Sequence, residues 1–243
     1  MNDTATAPRE AAHPNVFALF VGIVTEPKNT FQRVVASPKW LGMLVLTSVI
    51  VAFFTALPMT TEAGHQATVD QQVASMKSFG MDVSDELYDR LEQGAARAPY
   101  TTAAFILIVS PIMALIVSGL LFAVFNAALG GEASFKQVYA VIVHAGAISA
   151  LSALFSGIVN YFRGAVGSVA NLGAVLPMLP EGSFVANLFG TIDIFLIWWV
   201  VVLAIGLGVL YRRRTQPIAI GLFAVYAVIA LAITAIKTLR GGA

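Results

Sequence analysis

Long apolar runs, interrupted by short polar ones, dominate the chain and set the first prediction. Five segments are apolar over the length a helix needs to cross a bilayer, about 20 residues: Trp40 to Leu57, Ala103 to Leu129, Gln137 to Phe162, Asn187 to Tyr211 and Pro217 to Ile236. Ser37 and Pro38 give the first span a start signal, a capping hydroxyl followed by a residue that suits the first helical turn, and Pro58 closes it. Pro111 lies inside the second span, where it predicts a kink, with Ser110 beside it to help satisfy the freed backbone. The fold class is all-α, a polytopic membrane helical bundle of five transmembrane helices.

The polar stretches carry patterns of their own. Residues 1–12 are polar and Ala-rich and are read as a disordered tail. Residues 13–39 are too sparsely apolar to span, and a retained segment is expected, because Val16–Val24 ends in Thr25-Glu26-Pro27-Lys28 without a small-residue cleavage site. Phe31, Val34 and Val35 form a stripe opposite Lys28, Gln32 and Arg33. That amphipathic pattern admits two readings, an interfacial helix on an anionic leaflet or a helix packed on the bundle. In the 58–99 loop, Val69, Val73 and Met76 repeat at helical spacing, Gly80 suits a C-cap, and Ser84 caps a stretch containing Leu87 and Leu91. A polar helical hairpin is predicted there, serving as a solvated spacer or as an interaction surface.

Charge orients the domain at 40–237. Lys28, Arg33 and Lys39 precede the first span, and Arg212, Arg213 and Arg214 fill the short loop between the fourth and fifth. The 58–99 loop is acidic. The positive-inside rule then places the N-terminus inside, that loop outside and the C-terminus outside. Composition agrees with a lipid solvent: 58% of residues are hydrophobic, 11% are charged, and the mean hydropathy is +0.83. The net charge of +1 gives no reason to expect nucleic acid. The absence of cysteine excludes disulfides and thiol chemistry.

Ionisable and amide groups inside spans are costly, so they are the candidates for function. Asp193 is expected roughly 9 Å inside the fourth span, counting 1.5 Å per residue, with Asn160, Arg163 or Lys237 to answer it. His144 is expected in the inner half of the third span, about 10 Å from the depth of Asp193, with Asn126 as a hydrogen-bond partner. Asp193 can be a proton or ion site, or a structural anchor. Ala145, Ser149, Ala153 and Gly157 recur every four residues on the third span. They predict a close helix contact with the fourth or second span, or a dimer face, so a homo-oligomer stays open. No phosphate loop or hydrolase motif is present, and no catalytic residue, metal ligand or cofactor is expected.

The stretch Glu26-Pro27-Lys28-Asn29-Thr30-Phe31 followed by Pro38-Lys39-Trp40 resembles the entry to Yip-family (Ypt/Rab-interacting protein) domains. Leu129-Gly130-Gly131-Glu132-Ala133-Ser134-Phe135-Lys136 resembles that family's turn between the second and third spans. Asp193-Ile194-Phe195-Leu196-Ile197-Trp198, with Leu203 and Gly206 following, resembles its fourth span. Together they cover about residues 13–237 in order. The resemblance implies five helices and, in eukaryotic relatives, binding of prenylated small GTPases in vesicle traffic. This chain departs from those relatives in its short N-terminal region and long outside loop. Both features resemble the prokaryotic branch, so the GTPase role does not carry over. What remains is a non-enzymatic scaffold or accessory protein of a bacterial inner membrane, working through lipids or a membrane protein partner, alongside an export system in some relatives. The alternative is a small transporter or lipid translocator built around Asp193.

Overall fold

Backbone polar groups in lipid must be paired within their own segment, and the chain meets this demand with helices throughout. The computed structural model describes residues 15–78, 80–175 and 183–241, so the expected tail at 1–12 lies outside the described residues. In chain order the helices are α1 (Val16–Thr25), α2 (Pro27–Ala36), α3 (Leu41–Ala56), α4 (Glu62–Ser78), α5 (Asp85–Ala95), α6 (Ala98–Phe122), α7 (Phe135–Ala145), α8 (Ala147–Arg163), α9 (Leu172–Val175), α10 (Phe184–Thr191), α11 (Ile194–Leu210) and α12 (Thr215–Gly241). A 3₁₀ turn, Leu57–Thr60, extends α3, and a π-helical turn, Ala123–Ala128, extends α6.

Four segments among the described residues are long and apolar enough to cross a membrane: Leu41–Thr60, Ala98–Ala128, Phe135–Arg163 and Thr215–Leu239. The expected fourth span is the exception. It is broken at Ile192 and Asp193, which are extended, so α11 has 17 residues and α10 forms a separate short helix. The connector after α8 causes the break. Leu172 N–H donates to Ile192 O at 2.9 Å and Ile194 N–H to Ala170 O at 3.1 Å, a short antiparallel pairing that competes with the helical ladder. The Tyr226 hydroxyl, on α12, donates to the Thr191 carbonyl freed by the break at 3.0 Å.

Helix α6 continues through Pro111. Ser110 does not mend its own backbone as expected; its hydroxyl shares a 2.8 Å hydrogen bond with Ser48 and so ties α6 to α3. The core lies where α2, α7 and α11 meet, around Phe31, Val34, Val138, Val141, Val202, Leu203 and Leu207. Helices α6 and α12 turn largely apolar faces away from it, with Phe105, Ile108, Leu120, Ile220, Val225 and Val228 exposed, as lipid-facing helices do.

Helix α2 is amphipathic as its sequence pattern requires, but its apolar face meets the bundle and not lipid. Phe31 is 0% exposed and Val34 2%, whereas Lys28, Gln32 and Arg33 are exposed. Between α4 and α5 the chain turns through Gly80 at φ +74°. Gly80 N–H donates to Lys77 O and Met81 N–H to Met76 O, which closes α4 with the paired bonds of a Schellman end. The Ser84 hydroxyl then accepts from Leu87 N–H, and the Gln66 side chain donates to the Tyr88 hydroxyl across the hairpin. Hereafter the end carrying α4 and α5 is the hairpin end; the opposite one, with Lys28, Lys39, Lys136 and Arg212–Arg214, is the basic end.

Candidate functional site

Asp193 owes its position to the helix break. Its Oδ1 accepts from Phe195 N–H at 2.8 Å and Leu196 N–H at 3.1 Å, the geometry of an N-cap, and its Oδ2 accepts from the Ser168 hydroxyl at 2.7 Å. None of the expected partners, Asn160, Arg163 or Lys237, bonds to it, and Asn160 donates to Gly167 O instead. Arg163 is exposed at the end of α8, and Lys237 is exposed on α12. Counting rise per residue failed because Asp193 starts a helix and does not lie inside one.

Around Asp193 is a cleft of about 510 Å³ between α3, α8 and α11 at the hairpin end. Ser149, Ser152 and Ser156 of α8 line it on one side, and Phe195, Leu196 and Trp199 of α11 on the other. Asn160 lines it too: its amide nitrogen donates to Gly167 O at 2.6 Å, while its Oδ1 is buried without a partner among the described residues. The cleft can hold a hydrogen-bond donor against these oxygens. It cannot support acid–base catalysis by a pair, since Asp193 is its single titratable lining residue.

The expected Asn126–His144 bond is not formed. His144 Nδ1 bonds to Ala140 O at 2.7 Å within its own helix. The Asn126 side chain instead donates to Ala133 O at 2.7 Å and accepts from the Tyr211 hydroxyl at 2.7 Å. The π-helical turn causes this, because the extra residue per turn swings Asn126 toward the loop that follows.

That loop is a clasp. Gly130 takes a left-handed φ of +67°, and Gly131 lies so close to the Tyr211 ring that a Cβ there would come within 2.6 Å of it. Phe125 stacks on Tyr211 at 4.9 Å, and Arg213 donates to the Leu129 carbonyl at 2.7 Å. Ser134 and Gln137 form a reciprocal capping box at the start of α7, and the Gln137 amide also donates to Val35 O of α2 at 3.2 Å. The other residues behind the family resemblance pack elsewhere in the bundle. Phe31 lies against Gly206 and Val141, Trp40 packs edge-on to Tyr139 at 5.1 Å, Phe135 stacks on Tyr139 at 6.4 Å, and Phe195 stacks on Trp198 at 6.3 Å. Pro27 opens α2, and Pro38 lies in the link from α2 to α3. Sequence reasoning missed Ser168 and Tyr211. Ser168 lies in an aperiodic connector and carried no signal; Tyr211, beside three arginines at a helix end, carried a weak one.

The small-residue strip divides. A Cβ on Gly157 would collide with the Phe54 carbonyl of α3, so the closest approach is to the first span and not to the fourth or second as expected. Ala145 is fully buried, Ala153 is half-buried, and Ser149 is exposed along the cleft. Gly206 meets Phe31 and Val141, Gly208 meets the α11–α12 turn, and Gly221 faces open space.

The capping geometry makes a prediction. Asparagine also supplies a capping oxygen, so Asp193→Asn is expected to cost a few tenths of a kcal/mol, while Asp193→Ala costs about 1 kcal/mol. Melting curves in detergent will separate the two. Equal losses would mean that the charge, and not the cap, holds the site.

Four apolar membrane-length helices among the described residues define a helical membrane protein. A family model of the Yip1 domain matches residues 21–236. The chain therefore belongs to the Yip1 domain family. It is 25% identical over 232 residues, covering 90% of this chain and 91% of the relative, to "Membrane protein YknW" of Bacillus subtilis (strain 168). No solved structure gives a significant match.

Proposed function

We propose that the protein is a non-enzymatic scaffold or accessory factor of a bacterial inner membrane, acting through the faces of its helices on a partner membrane protein, with an export system as the setting. The observation that supports this most is how its intramembrane polar groups are engaged. Asp193 caps α11 and Asn126 closes the α6–α7 loop, so both serve the fold, while His144 is held through Nδ1 by its own helix with Nε2 buried without a partner among the described residues. The reading as a transporter or translocator depended on a free Asp193 carboxylate, whereas this one caps α11 through Oδ1 and accepts from Ser168 through Oδ2. Meanwhile α6 and α12 present long uncovered apolar faces to lipid or to another helix.

In this reading the basic end faces the cytoplasm, and α10 with α11 forms the fourth of five crossings as a broken span. Cysteines introduced at Ser75 and Ala243 are expected to react with an impermeant maleimide in intact cells, and one at Thr215 only after lysis. Reaction at Thr215 alone would invert the orientation. The partner is tested by crosslinking in native membranes, solubilisation and mass spectrometry. A membrane protein recovered in constant ratio with this chain supports the accessory role. Recovery of the chain alone, together with solute flux in reconstituted vesicles, overturns it.

A further inference from the structure

At the basic end, a recess of about 1020 Å³ opens between α2 and the turn joining α11 to α12. Its cations are Lys28, Arg212, Arg213 and Arg214, and the Gln32, Gln137 and Gln216 side-chain amides with Thr215 complete the polar lining. No carboxylate lines it; Glu132 lines an adjoining hollow that shares Arg212 and Arg213. Arg213 is committed to the Leu129 carbonyl. Lys28, Arg212 and Arg214 make neither an ion pair nor a side-chain hydrogen bond among the described residues, where the single ion pair is Arg90 with Glu86. Like charges gathered without an anion repel one another, and the repulsion is relieved when an anion enters. Arg212 is moreover held at φ +52°, a conformation unfavourable for a side-chain-bearing residue, so the turn keeps a costly shape.

Two further features select the anion. The recess lies where α11 ends and α12 begins, at the membrane boundary where lipid phosphates sit, and basic pockets between helices there suit acidic headgroups. Its remaining wall is apolar. Val35 of α2 and Ile205 and Val209 of α11 continue from the cations toward the bundle, giving an acyl chain a surface that a free anion would not use. We propose that this recess is a binding site for the phosphate headgroup of an anionic phospholipid, with Lys28, Arg212 and Arg214 as its charge partners. The site depends on the basic end lying at the membrane surface and not on the accessory role, so each can fail without the other.

The test uses the full chain in a nonionic detergent, with native mass spectrometry after addition of phosphatidylglycerol or phosphatidylcholine at equal concentration. Phosphatidylglycerol is expected to be retained in preference, with affinity falling about fivefold for each charge removed in Lys28→Gln, Arg212→Gln and Arg214→Gln. Lys39→Gln and Lys136→Gln, at the same end but outside the recess, are expected to leave retention unchanged. The single variants keep the test readable where a triple variant fails to fold, and their melting temperatures should match the parent. Equal retention of both lipids, an equal loss in the two control variants, or displacement of the lipid by millimolar inorganic phosphate would each overturn the assignment. The last result would point to a soluble anion.

Discussion

Gly157→Leu is expected to prevent the protein from accumulating in folded form. A Cβ at this position already collides with the carbonyl of Phe54, and behind that carbonyl is the helical backbone of α3, which cannot rotate aside as a side chain can. Overpacking a tight contact commonly costs 1–3 kcal/mol, and four added heavy atoms against backbone should exceed about 3 kcal/mol. Gly157→Ala should lower the melting temperature without abolishing the fold. Ser149→Leu, on the same stripe but exposed, should melt close to the parent. The comparison is measured by yield and thermal unfolding in detergent. A parental melt for Gly157→Leu would show that α3 and α8 are not in backbone contact, and the packing would have to be redrawn.

Phe31→Ala is expected to loosen the N-terminal helices from the bundle at a cost of about 3–5 kcal/mol, the usual range for deleting a fully buried aromatic ring. The ring is sealed between Val141 of α7 and Gly206 of α11, and a Cβ on Gly206 would come within 2.9 Å of its Cζ. Two signals should move together: the melting temperature should fall, and the segment around Pro38 should become open to protease at concentrations that leave the parent intact. Were α2 a lipid-facing interfacial helix, the same substitution would weaken only membrane association of the tail and leave the bundle's melt unchanged. The two readings of its amphipathic stripe are thus separable by a single substitution. A third arm strengthens the comparison, since Phe31→Leu should fall between, having lost part of the ring volume but not the apolar contact.

Helix positions were legible wherever the signal was local. The runs of apolar residues, the cap at Ser84 and the left-handed glycine at Gly80 depend on neighbours within a few residues, so the chain itself records them. Partners were a different matter. Asn126 and His144 sit near one another in the sequence map, yet a π-helical turn sent Asn126 to Tyr211, which is 85 positions away. Asp193 looked buried in a continuous span because Leu188 to Leu210 is almost unbroken in hydropathy; the break came from hydrogen bonds offered by a connector with no periodicity.

The sequence by itself determined the solvent, the four membrane-length apolar helices and the family, because transfer to lipid and backbone self-satisfaction are properties of each segment alone. Tertiary structure alone decided which stripe meets which. Burying Phe31 required the gap left by Gly206, and the close approach at Gly157 was taken by Phe54, choices made by shape complementarity between segments far apart in the chain. It also decided that the arginines after α11 and the lysine of α2 face one another across a single recess. Charge, type and number were written in the sequence; their convergence required the fold.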